Sequence, residues 1–187
     1  MKLKLTNKPI KAASKKYTKL VITEEKNGAL IIEKGGRKEL QIGVGKWSEV
    51  TPRKFISLLR SAVQTAKQNR VEYLAIELSN FAFPKLEAYG DEWVLSTIAE
   101  NLLLADYEFT KYKTAKKDSK NLKEILVCGG MTPALKTAWK RGLTIAECMN
   151  AARDIANTTG DDLTPSGLGR AAKDMAKGTK INVSVLD

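Results

Sequence analysis

Side chains that commonly carry chemistry are few in this sequence, and their spacing limits what they offer. Histidine is absent from all 187 residues. That removes Ser-His-Asp and Cys-His nucleophilic catalysis, histidine general bases and any zinc site built on imidazole. What remains is carboxylate, lysine or metal-assisted chemistry. Asp161-Asp162 invites a metal reading, but adjacent carboxylates just ahead of a helix more often serve its positive N-terminal dipole. Gly129-Gly130 and Gly43-x-Gly45 end strand-like runs, where free N–H groups can cradle phosphate. Neither opens the full Gly-x-Gly-x-x-Gly spacing, so ordinary turns are the simpler reading. Tyr107, Phe109 and Tyr112 alternate with Lys111 and Lys113, the makeup of a base-stacking platform; aromatics anchoring a loop to the core explain the run more simply. Cys128 and Cys148 lack metal or redox spacing and are too few for a disulfide framework. They read as small buried hydrophobes in a reducing, cytoplasmic compartment.

The elements that hold these groups are legible in outline. KLVITEE, the Lys26-Asn27-Gly28 turn and ALIIE predict a hairpin over 19–33, and Gly35-Gly36 marks a second turn before ELQIGVG. Thr51 and Pro52 then form a cap-plus-proline helix start. Phe55, Leu58, Leu59, Ala62, Val63 and Ala66 follow at helical spacing. VEYLAIEL (71–78) reads as a strand covered on both faces, Ser79 to Gly90 as a loop, and 122–130 as another buried strand. Between the last two, Asp91 is placed to cap a helix with Val94, Leu95, Ile98, Ala99, Leu102 and Leu103 inward, and 114–121 is a charged linker. Thr144 and Glu147 have capping-box spacing, predicting a helix over 144–159 with Ile145, Cys148, Met149, Ala152, Ile155 and Ala156 as its packing face. Thr164-Pro165 opens a further helix over 166–177, and INVSVLD reads as a closing strand. Alternating helix and strand is the α/β pattern.

Composition is that of an ordinary globular chain, 43% hydrophobic and 28% charged, and no apolar run is long enough to span a bilayer. The formal net charge of +11 is concentrated at the start of the chain and in the cluster Lys111, Lys113, Lys116, Lys117, Lys120 and Lys123. A basic surface suits polyanions. The bases are mostly lysine, however, and phosphate and base recognition favours arginine's bidentate fork, so a solvated lysine surface is the simpler reading.

Two motifs, in order and correctly spaced, carry a family resemblance. YEFTKYK (107–113) resembles the Tyr-x-Phe-x-x-Tyr-Lys segment of leucyl (cytosol) aminopeptidases, through Tyr107, Phe109, Tyr112 and Lys113. Further on, 147–172 resembles that family's Ala-Arg-Asp-Leu-x-Asn...Leu-Thr-Pro stretch, through Ala152, Arg153, Asp154, Asn157, Leu163, Thr164 and Pro165. The terminal KINVSVLD resembles the strand that follows. Thr158 to Asp162 depart from the family's usual proline and asparagine, and the first 40 residues match no family pattern.

The resemblance implies a three-layer, macro-domain-like mixed sheet flanked by helices over 1–142, a connecting helix over 143–160, and the incomplete start of a metallopeptidase catalytic domain over 161–187. It implies a parent that removes N-terminal amino acids from peptides with two divalent metal ions, zinc or manganese, and assembles as a hexamer. The family's metal-binding run, Asn-Thr-Asp-Ala-Glu-Gly-Arg, has no counterpart here. The expectation is therefore a non-catalytic scaffold in which no catalytic, metal or cofactor residue can be assigned, partnered by its own catalytic domain. A lysine-rich module binding nucleic acid or another polyanion is the alternative, and nucleotide binding by the macro-like sheet rests on fold analogy alone.

Overall fold

A computed structural model of the chain describes residues 1–25, 28–114 and 122–186. Six strands form one mixed sheet: β1 (Lys2–Thr6), β2 (Thr18–Thr23), β3 (Ala29–Lys34), β4 (Arg37–Gly43), β5 (Tyr73–Glu77) and β6 (Glu124–Cys128). Their spatial order is β1-β6-β5-β2-β4-β3. All neighbours run parallel except the edge strand β3, which is antiparallel to β4. The expected hairpin over 19–33 is not formed. β2 pairs with β4 from Lys19↔Glu39 to Thr23↔Gly43, and β3 folds back on the far side of β4. The hairpin lies one turn later, at Gly35 and Gly36, whose φ values of 59° and 68° suit the two left-handed positions of a tight two-residue turn. Lys26 and Asn27, of the turn expected there, lie outside the described residues. β1 went unread because Lys2, Lys4 and Thr6 alternate with Leu3 and Leu5 inside a segment whose lysines suggest solvent.

Period-two alternation assigns the two sheet faces. Leu20, Ile22, Leu40, Ile42, Leu74, Ile76, Ile125 and Val127 all point one way and are almost wholly buried. They share one core with α1 (Pro52–Gln68) and α2 (Gly90–Asp106). In α1 the buried set is Phe55, Leu58, Leu59, Ala62, Val63 and Ala66, as its spacing requires, and Thr51 Oγ1 accepts from Lys54 N at 3.3 Å as the N-cap. Burying each large side chain of such a face contributes roughly 1.5–3 kcal/mol. The stretch read as a loop, 79–90, contributes to the core as well. Its two 3-10 turns place Phe81, Phe83 and Leu86 inside, with Phe55 and Phe81 centroids 5.4 Å apart. Asp91 lies in the first turn of α2 rather than before it, and Leu104, not Leu103, completes the buried set.

A further layer is α3, running unbroken over Pro133–Asn157 with Thr132 as its N-cap. Thr144 and Glu147 therefore lie inside a helix and cap nothing. Gly142, within the helix, serves contact and not a turn. A Cβ there would stand 2.2 Å from the Ser96 carbonyl oxygen of α2. α3 packs on α2 through Leu135, Ala138, Trp139, Gly142 and Ala146, whereas Cys148, Met149, Ala152 and Ala156 of the expected packing face are exposed. α4 (Pro165–Ala176) follows the Thr164 cap and buries nothing. Residues 181–186 form no strand; Val185 methyls lie 3.2 Å from where a Cβ on Gly169 of α4 would stand. The chain is thus an α/β fold of sheet, α1/α2 and α3, with the helices layered on one side. The other face of the sheet is crossed only by residues 7–17, among the described residues. No described helix is long and apolar enough to cross a membrane.

Candidate functional site at the α3–α4 junction

The two motifs singled out in the sequence meet in space. After α2 ends at Asp106, residues 107–112 run along the C-terminal half of α3, and Tyr107 and Tyr112 reach it and the turn beyond. Tyr107 Oη donates to Asp154 Oδ1 at 2.8 Å and receives a bond from Asn157 Nδ2 at 3.2 Å. Asp154 and Asn157 stand one helical turn apart, so both reach the same phenol. Arg153, just before Asp154 in sequence, sits 5.4 Å from the Tyr107 ring centroid and donates to the Leu104 carbonyl at 3.3 Å. One arginine thus binds both the ring and the end of α2.

Tyr112 makes the second half of the clamp. Its Oη donates to Asp162 Oδ2 at 2.8 Å, lies 3.0 Å from Thr159 Oγ1 and accepts from Thr159 N at 3.0 Å. Lys111 Nζ pairs with the same Asp162 carboxylate at 2.9 Å and lies 5.3 Å from the Tyr112 ring centre, while Phe109 meets Tyr112 edge-on at 5.6 Å. The hydrogen bond from Lys111, then that from Tyr112, holds the Asp162 carboxyl below the usual carboxylate range; Asp162 in turn raises the Lys111 ammonium. Partial burial, with the neighbouring Asp154 carboxylate, raises the Tyr107 phenol. Tyr107 remains a neutral donor at neutral pH, in keeping with an anchoring role.

Of the signature residues, Tyr107, Phe109, Tyr112, Arg153, Asp154 and Asn157 are brought together. Thr164 caps α4 through Gly167 N at 3.2 Å, Pro165 holds its first position, and Leu163 is half-buried. Ala152 and Lys113 are exposed. Sequence reasoning missed Lys111, Thr159 and Asp162 as clamp members, although the departure at Thr158 to Asp162 marked the place. Asp162, weighed above as a metal ligand, spends its carboxylate on Lys111 and Tyr112. Among the described residues no three Cys, Asp or Glu side chains cluster in a way that would hold a metal ion. Of the second lysine cluster, Lys116, Lys117 and Lys120 lie outside the described residues, and Lys123 pairs with Glu72 at 3.0 Å. The glycine turns do lie at the carboxyl ends of strands: Gly43 borders a cleft of about 550 Å³, and Gly129 and Gly130 one of about 300 Å³.

Residues 36–116 match the cytosol aminopeptidase family, N-terminal domain. A probable cytosol aminopeptidase of Roseiflexus castenholzii is 30% identical over 154 residues, covering 80% of this chain and 30% of the relative. Another from Streptomyces avermitilis is 36% identical over 113 residues, covering 57% of this chain and 21% of the relative. The chain spans about a third or less of the length of such relatives. Among solved structures, a mutant tomato leucine aminopeptidase superposes with a TM-score of 0.74 at 16% identity, over 94% of this chain and 42% of its own. The bottromycin maturation enzyme BotP in complex with Mn gives 0.66 at 18% identity, over 86% and 35%. These superpositions show the fold, and the sequence matches place residues 36–116 in the N-terminal domain of the cytosol aminopeptidase family.

Proposed function

We propose that this chain is the non-catalytic N-terminal part of a leucyl aminopeptidase-like metallopeptidase and acts as its scaffold, docking on a catalytic domain and supporting a homo-oligomer, a hexamer in the parent. One observation carries the reading. α4 is formed and capped, yet Leu168, Met175, Ile181, Val185 and Leu186 are exposed, forgoing part of the roughly 1.5–3 kcal/mol that full burial of each contributes. Relatives about three times as long have the chain needed to cover them. Residues 1–142 would be the N-terminal domain, 143–160 the connecting helix, continuous with its first turns from Pro133, and 161–187 the beginning of the catalytic domain. The clamp of Tyr107 and Tyr112 would fix the angle between the two. Two divalent metal ions, zinc or manganese, would belong to the catalytic part, where such ions activate water for amide hydrolysis. The family's printed name, cytosol aminopeptidase, supports a cytoplasmic setting. An assay of this chain with manganese or zinc and a leucine chromogenic substrate tests the reading: turnover that a chelator abolishes would refute it.

A second reading has an observation of its own. Lys2 and Lys4 of β1, Lys19 of β2 and Lys34 of β3 alternate onto the helix-free face of the sheet, where Lys8, Lys11, Lys15 and Lys16 join them from 7–17. A basic face of this kind would bind a polyanion such as duplex DNA weakly and lose it steeply with salt. Absence of binding at low salt removes the reading.

A further inference from the structure

Residues 7–17 connect β1, at one edge of the sheet, to β2, three places in. They must therefore cross β6 and β5, and they do so on the face opposite the helices. Apolar attachment is confined to Tyr17, buried edge-on against Tyr73, and to the half-buried Ile10 and Ala13; Asn7, Lys8, Pro9, Lys11, Ala12, Ser14, Lys15 and Lys16 are all exposed, and four of these are lysines that repel one another. The attachments are polar and come from three strands. Ile10 N donates to Glu77 Oε2 of β5 at 2.6 Å. Arg37 Nη2 of β4 donates to the Ala13 carbonyl at 2.8 Å. Tyr17 Oη donates to Glu124 Oε1 of β6, whose other oxygen meets Lys4 Nζ of β1 at 2.8 Å. Lys16 Nζ lies over the Tyr17 and Tyr73 rings, 5.0 and 4.3 Å from their centroids.

Beneath this crossing lies a thiol. Cys128 pairs in register with Glu77 and, by alternation from Glu124, points to the same helix-free face, where it is 0% exposed. Burial, then the Glu77 carboxylate, pushes it up to about 11, so it is unreactive while covered. We propose that residues 7–17 are a strap, latched by Glu77, Arg37 and Glu124, that opens as a unit without unfolding of the core and thereby governs access to Cys128 and the strip of Tyr73, Ala75 and Leu126 beside it. Opening breaks side-chain bonds and swings a lysine-rich segment into water, while the helix side of the sheet keeps every contact. Such low-cost sub-global opening is the ordinary behaviour of segments with few buried apolar contacts.

The two cysteines make the test internally controlled, because Cys148 is exposed. The intact chain is treated with N-ethylmaleimide at neutral pH, and labelling of each cysteine is followed by peptide mass spectrometry. Cys148 reacts at once and Cys128 slowly. Arg37→Ala removes the donor to the Ala13 carbonyl without altering the carboxylate beside Cys128, and Tyr17→Phe removes the hydroxyl that binds Glu124. Each raises the Cys128 rate about tenfold or more, the scale of a lost charge-assisted hydrogen bond, with Cys148 labelling unchanged; Phe55→Ala, in the core that the open form keeps, speeds hydrogen exchange of α1 and leaves the Cys128 rate where it was. A second measurement needs no variant: in sub-denaturing urea the Cys128 rate rises with a slope well below that of global unfolding, since little surface is exposed. A slope equal to the global one, latch variants that leave the Cys128 rate unchanged, or a Cys128 rate that rises together with α1 exchange in Phe55→Ala overturns the strap. Labelling of Cys128 as fast as Cys148 in the unaltered chain overturns it too.

Discussion

α1 and α4 are built from the same local device and end in opposite situations. Each opens with a threonine whose hydroxyl accepts a backbone N–H of the first turn, followed by proline at the first helical position. Each has an apolar stripe at helical spacing. α1 buries six residues of its stripe against the sheet and α2; α4 buries none. Capping and periodicity therefore make a helix with a sticky side, but burial, and with it most of the stability, comes from a partner. In α1 the partner is the sheet. In α4 the stripe faces solvent apart from its contact with Val185.

That contrast can be broken at its strong end first. Phe55→Ala in α1, at a 0% exposed position ringed by Phe81, Phe83 and Trp93, should cost about 3–5 kcal/mol in urea unfolding. Leu168→Ala in α4 should move the same curve by less than about 0.5 kcal/mol, as for an exposed site. A large effect at Leu168 would mean that α4 is already covered, and the scaffold reading would lose its main support. Gly142→Ala comes next, at about 1–3 kcal/mol from overpacking against Ser96, despite alanine's better helix propensity. A neutral outcome would show that α3 slides easily on α2.

Smaller effects follow pH on the helix-free face. Hydrogen bonds from Lys4 and then Tyr17 hold the Glu124 carboxyl below its usual range. Its contribution is complete above about pH 4.3 and is lost as pH falls through the lowered folded value. Burial, then the bond to Glu124, pushes the Tyr17 phenol up to about 12. That contribution is complete below about pH 10 and is lost as pH rises through the folded value. Urea midpoints against pH should decline at both extremes, and Glu124→Gln and Tyr17→Phe should flatten the acid and alkaline limbs respectively. The smallest change is Thr164→Ala, worth about 1 kcal/mol locally. It should appear as faster hydrogen exchange in α4 with the global midpoint unmoved, whereas Thr51→Ala should shift the midpoint itself.

Where the structure departs from local signals, a remote contact decides. The Asn27-Gly28 signal points to a 19–33 hairpin, yet β2 finds parallel neighbours on both sides, through pairings remote in sequence. Thr144 and Glu147 have the spacing of a helix start, yet they sit inside α3, whose Gly142 has its reason 46 positions earlier, in the Ser96 carbonyl. The clamp was half legible. Tyr107, Arg153, Asp154 and Asn157 stood out as a pattern, but Lys111, Thr159 and Asp162 joined only because residues 107–112 run beside α3. Nothing local in residues 7–17 tells that they lie across a sheet.

Local chemistry was enough for the helix starts at Thr51 and Thr164, the buried face of α1, the buried strand around Leu74 to Ile76 and the two family motifs. Each depends on residues within one or two turns of each other, where spacing translates directly into direction. Strand order, the layering of α1, α2 and α3 on one side, the carboxylate latches under residues 7–17 and the exposure of α4 came from the folded chain alone. Those features are set by which distant surfaces meet and exclude water, and that outcome belongs to the whole molecule rather than to any segment of it.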